Sequence, residues 1–105
     1  MVSPEVLEKS AISVDYTRLQ QLCELHQVAY LGVFGSVARG TIHDTSDIDL
    51  LVRFKEPVSL LWFIEFEYQL AELFSRPIDL VTQNALNPYL KDRVLQDLQV
   101  LYESS

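Results

Sequence analysis

The sequence predicts an α/β (α+β) fold, a small mixed sheet flanked by helices, in one domain over residues 1–105. Three observations predict it. Residues 28–34, 47–54 and 78–82 are short, largely apolar runs of strand length. Around them lie segments with apolar residues at helical spacing, several opened by capping residues. A chain of 105 residues with 49% hydrophobic content suits one modest core.

Residues 3–14 show weak periodicity and read as a partly ordered arm. Asp15 is a good N-cap, and Leu19, Leu22, Cys23 and His26 then fall at i, i+3, i+4 and i+7 on one helical face. Residues 28–34 form the first strand. Ser36 to Arg39 reads as a single helical turn ending at Gly40, and residues 41–46 as a polar loop. Residues 47–54 form the second strand. Pro57 then breaks the chain. Residues 59–75 read as the longest helix, with Phe63, Phe66, Leu70, Leu73 and Phe74 on one side. Residues 78–82 form the third strand. Asn87 and Pro88 pair an N-cap with proline at the first helical position. The last helix is expected to run to about Tyr102 on a stripe of Leu90, Val94, Leu98 and Leu101. The expected order is helix, strand, strand, helix, strand, helix.

The most informative spacing is Gly35-Ser36, ten residues, then Asp47-Ile48-Asp49. Strand side chains alternate between faces, so Asp47 and Asp49 point the same way and Ile48, Leu50 and Val52 point to the core. Two neighbouring carboxylates repel unless a cation lies between them. Magnesium accepts carboxylate and phosphate oxygens in octahedral geometry, so such an edge suits it. Gly35, with no Cβ, lets backbone come close to a ligand. Ser36 can open a helical turn whose hydroxyl and N–H groups grip a phosphate. Asp79 sits inside the third strand pattern, where aspartate is depleted. If that strand lies beside 47–54, the three carboxylates converge as two-metal phosphoryl or nucleotidyl transfer requires.

Each of these residues also has a plain structural reading. Gly35-Ser36 alone is an ordinary strand-to-helix turn. Asp47 and Asp49 alone fit an exposed strand face, and Asp79 alone could pair with Arg76 or Arg53. Arg39 reads either as a solvated helix residue or as a phosphate contact, since guanidinium suits phosphate. Ser46 reads as a loop cap, with a bond to a neighbouring carboxylate as its functional alternative. His43 is expected exposed, His26 structural at a helix end and Cys23 a small core residue. Trp62, Phe63, Phe66 and Tyr68 read mainly as core, but Leu61, Trp62 and Tyr68 do not fit one face, which leaves a partner surface open.

Charge and cysteine content narrow the classes. A net charge of −7 argues against tight nucleic-acid binding and suits a positively charged protein partner. One cysteine excludes an intramolecular disulfide, and Cys23 with His26 and His43 makes no zinc site. The longest apolar run, residues 28–35, is too short to span a membrane. Glu5, Glu8 and Lys9 interrupt any signal-peptide core, so the cytoplasm is the expected location.

The Gly-Ser, ten residues, Asp-x-Asp pattern with a later strand aspartate resembles that of the DNA polymerase beta-like nucleotidyltransferase superfamily. The short length resembles its minimal nucleotidyltransferase (MNT) family, and residues 86–103 look like the terminal helix of MntA-type antitoxins. The resemblance spans residues 28–81 in its motifs. It implies a polymerase beta-like fold, ATP as substrate, and two Mg2+ ions on Asp47, Asp49 and Asp79 as the catalytic set. It implies Gly35, Ser36, Arg39 and Ser46 as nucleotide contacts. It also implies a hetero-oligomer with a HEPN-domain ribonuclease toxin, silenced by transfer of AMP to a tyrosine hydroxyl. Two alternatives remain on sequence. One is a small-molecule nucleotidyltransferase of the aminoglycoside-modifying kind, for which 105 residues leave no acceptor domain. The other is an antitoxin acting by binding alone, which leaves the carboxylate repulsion without a use.

Overall fold

The computed structural model describes residues 14–35 and 47–104. Of the arm expected over residues 3–14 only Val14 is described, and it packs against the core, while the helical turn at 36–39 and the loop at 41–46 lie outside the described residues.

The described elements are α1 (Tyr16–Leu25), β1 (Val28–Phe34), β2 (Ile48–Phe54), α2 (Leu60–Phe74) and β3 (Ile78–Thr82). They continue with a 3-10 turn (Gln83–Ala85), α3 (Pro88–Asp97) and β4 (Gln99–Glu103). The sheet order is β3-β2-β1-β4. β1 pairs antiparallel with β2 and with β4, while β2 pairs parallel with β3, so the sheet is mixed as expected.

Helix ends follow local chemistry. The Asp15 side chain accepts from Arg18 N at 3.1 Å and opens α1. Ser59 Oγ accepts from Trp62 N at 3.2 Å and opens α2. Ser75 closes α2 in the left-handed region (φ 56°), its N–H donating to the Ala71 carbonyl. Asn87 Oδ1 accepts from Tyr89 N at 2.9 Å, with Pro88 at the first turn of α3.

Strand alternation then divides the sheet into two faces. Leu31 and Val33 of β1 and Ile48, Leu50 and Val52 of β2 are fully buried on one face. They pack with Leu19 and Cys23 of α1 and Phe66, Leu70 and Phe74 of α2. Burying each large side chain stabilises the fold by about 1.5–3 kcal/mol. Trp62 links the two helices, its Nε1 donating to the His26 carbonyl at 3.0 Å. The second face is approached by the C-terminal end of α3. A Cβ on Gly32 would lie 2.7 Å from Leu98 Cδ1, so the missing side chain makes room for Leu98.

One expectation fails here. The last helix does not reach Tyr102; α3 ends at Asp97, Leu98 turns to an extended conformation, and Gln99–Glu103 forms β4 at the sheet edge. Leu101 and Tyr102 are buried from a strand, not from a helical stripe. β1 would otherwise expose its free edge, and Ser104 N donating to the Ala29 carbonyl at 2.9 Å closes it further.

Candidate functional site

Asp49 and Asp79 meet through strand register. In the parallel β2–β3 pair, Asp49 stands opposite Asp79, with Ile48 opposite Ile78 and Leu50 opposite Leu80. The apolar partners point to the core, where Ile48, Leu50 and Leu80 are buried, so both aspartates point to the other face. Asp49 is half-buried and Asp79 exposed. Asp47 is exposed one residue before β2, at the position that continues the alternation. The Ile48 N–H donates to the Pro77 carbonyl at 3.0 Å and ties the start of β2 to β3. Among the described residues none hydrogen-bonds or ion-pairs with Asp79, so neither Arg76 nor Arg53 neutralises it.

Gly35 closes the other side. The antiparallel register sets Phe34 opposite Asp49, so the residue after β1 falls beside that carboxylate. Gly35 adopts φ +73°, and a Cβ there would lie 2.5 Å from Asp49 Oδ2. The sequence reading assigned this glycine to ligand approach; in the structure the space it leaves is filled by Asp49. Ser36, Arg39 and Ser46, the other expected nucleotide contacts, lie outside the described residues, as does His43.

The carboxylate oxygens are the donors magnesium prefers, and magnesium commonly takes one or two carboxylates and completes its shell with waters and substrate phosphates. The Asp49–Asp79 pair on an accessible edge fits that use. Among the described residues no three His, Cys, Asp or Glu side chains are close enough to hold one ion together. Strand register sets Asp49 beside Asp79, and among the described residues Asp47 is not gathered with them into a three-carboxylate cluster.

Glu67 is a residue the sequence reading missed. Its Oε2 accepts from Leu80 N at 3.2 Å, the peptide N–H that immediately follows Asp79. β3 is an edge strand, and the α2 carboxylate takes up one of its unpaired donors. The signal was an acid at helical spacing from Phe63, Leu70 and Phe74, on the apolar side of the helix.

Two further groups are structural. Cys23 is fully buried, and burial pushes its thiol up to about 12, so it stays protonated and is no nucleophile at neutral pH. His26 is buried at the end of α1, its Nδ1 within 3.1 Å of the Leu22 carbonyl and its ring edge-on to Trp62. Phe66 is core, whereas Leu61 and Tyr68 are exposed, at 79% and 58%. A hollow of about 800 Å3 lies at the opposite ends of β2 and β3, among Phe54, Pro57, Val58, Phe63 and Ala85, and none of the three aspartates lines it.

Residues 17–101 match the family described as "Nucleotidyltransferase domain". A protein of Methanocaldococcus jannaschii provisionally named a protein adenylyltransferase is 42% identical over 80 residues, 75% of this chain and 82% of that one. The protein adenylyltransferase MntA of Thermococcus cleftensis is 40% identical over 79 residues, 75% of this chain and 80% of that one. A solved chain provisionally named a minimal nucleotidyltransferase superposes with a TM-score of 0.70 at 36% identity, covering 80% of this chain and 86% of that one. At 19% identity, a complex described as a tri-AMPylated Shewanella oneidensis HEPN toxin with its MNT antitoxin shares the fold, with a TM-score of 0.62 over 85% of this chain and 70% of that one.

Proposed function

Because the chain belongs to the nucleotidyltransferase domain family, we propose that it is an antitoxin that transfers AMP from ATP to a tyrosine hydroxyl of a cognate HEPN ribonuclease toxin and silences it. The single observation that carries this reading is the Asp49–Asp79 register with Gly35 held against Asp49. Relatives named protein adenylyltransferases at about 40% identity support the protein acceptor. The tri-AMPylated HEPN toxin bound to a protein of the same fold supports the toxin partner. No helix among the described residues is long and apolar enough to cross a membrane, and we place the reaction in the cytoplasm.

The chain's residues divide the work. The Gly35-Ser36 turn, with Arg39 and Ser46, binds the triphosphate. Asp47 and Asp49 would hold the magnesium that orients the α-phosphate for in-line attack. Asp79 faces the acceptor side and takes the proton of the attacking hydroxyl. The acceptor oxygen forms a bond to the α-phosphorus, the bond from that phosphorus to the bridging oxygen breaks, and pyrophosphate leaves with the electron pair. Two Mg2+ ions, held by Asp47, Asp49 and Asp79, would neutralise phosphate charge and lower the acceptor pKa.

The test is direct. Incubate the chain with labelled ATP, magnesium and the HEPN protein encoded beside it, and weigh the partner. A mass gain of one or more AMP units on a tyrosine is expected. A partner of unchanged mass, with folded protein and metal present, overturns the reading.

A further inference from the structure

We propose that Arg93 of α3 grips the β- and γ-phosphates of the nucleotide, the part that leaves as pyrophosphate; this rests on the AMP-transfer reading above. Arg93 shares a hollow of about 110 Å3 with Phe34, Gly35, Leu90, Val94 and Asp97. Gly35 therefore has the Asp49 carboxylate on one side and the wall formed by α3 on the other. Arg93 is exposed, and among the described residues none hydrogen-bonds or ion-pairs with it. Asp97, one turn further along α3, has an interaction of its own.

The order of the sheet gives the direction of the ligand. β3 carries Asp79, β2 carries Asp49, and β1 ends at Phe34 beside Gly35, with α3 beyond. An α-phosphate placed over Asp49 and Asp79 for attack sends its polyphosphate tail across Gly35 toward α3. A guanidinium there meets phosphate oxygens in a bidentate fork. The need is electrostatic as well. The chain carries a net charge of −7, and its site is built from acids, so a polyanionic substrate requires cations at both ends. Arg53 and Lys55 lie at the far end of β2, against the other hollow. Arg18 lies on α1, which packs on the opposite face of the sheet.

Calorimetric titration with ATP and with AMP, both in magnesium, tests this. Arg93→Gln is expected to weaken ATP binding about tenfold or more while leaving AMP affinity within about twofold of the parent, and Arg93→Lys to fall between. In the unmodified protein, ATP is expected to protect Arg93 from phenylglyoxal, and AMP to protect it poorly. The protection assay decides the matter if a substitution alters the fold. Parental ATP affinity in Arg93→Gln, an equal loss for AMP and ATP, or equal protection by both nucleotides overturns the proposal. If the parent binds no nucleotide at all, the AMP-transfer reading falls and takes this one with it.

Discussion

Gly35 and Asp49 show how closely one side chain depends on the absence of another. Gly35 combines a positive φ with a carboxylate oxygen in the volume its Cβ would fill. Gly35→Ala is expected to cost about 1–2 kcal/mol from the backbone alone and to displace Asp49, so melting temperature and AMP transfer fall together. Asp79→Asn makes the opposite case. Asp79 is exposed and unpaired among the described residues, so the amide is expected to leave melting temperature unchanged and to reduce transfer by orders of magnitude. Transfer at the parental rate would make Asp79 a structural strand residue. Cys23 supplies a pH dependence. Burial raises its folded value to about 12, above the ordinary thiol value of 9.0, so the folded state binds the proton more tightly. The stability this brings is fully present below pH 9 and is lost as pH rises toward 12. Melting curves between pH 8 and 11 are expected to slope downward in the parent and less steeply in Cys23→Ala. The aspartates stood out in the sequence because aspartate is depleted in strands, and the glycine because it ends an apolar strand run at a turn. The contact between Gly35 and Asp49 was not, because it depends on β1–β2 register.

The secondary-structure elements were read well where capping chemistry is local and poorly where pairing is remote. Ser59 and Ser75 bracket α2, and Asn87-Pro88 opens α3, as expected from the side chains. The C-terminus misled because Leu90, Val94, Leu98 and Leu101 keep helical spacing, and no glycine or proline marks the end of α3. Residues 99–103 become a strand because β1 offers an edge and Leu101 and Tyr102 can fill the core, and neither fact is local. The same remoteness hid Glu67. Its bond to the peptide after Asp79 fastens α2 to β3 at the site, so it acts as a positioning residue. Glu67→Ala is expected to lower stability by about 1 kcal/mol and to reduce kcat more than the affinity for ATP. Glu67→Gln retains an acceptor oxygen and is expected to restore most of both. If Glu67→Ala changes stability but leaves kcat intact, the bond only protects the strand edge.

For the molecule as a whole, the acidic balance and the site's accessible edge make one joint demand: nucleotide and metal must bind together. Magnesium bridges carboxylate and phosphate oxygens and so binds more tightly when the nucleotide is present, and nucleotide without metal meets a field of like charge. Ligand that binds only the folded state stabilises it by RT ln(1 + [L]/Kd), about 1.4 kcal/mol at tenfold excess over Kd. For a domain of this size that corresponds to a rise of about 5–10 °C in Tm. The rise is expected with ATP and magnesium together, to vanish when EDTA removes the metal, and to be lost in Asp49→Asn even with both present. An equal rise with ATP in EDTA would mean that the nucleotide is held without the carboxylates. The metal-dependent reading of Asp47, Asp49 and Asp79 would then fail, although the family and the fold would stand.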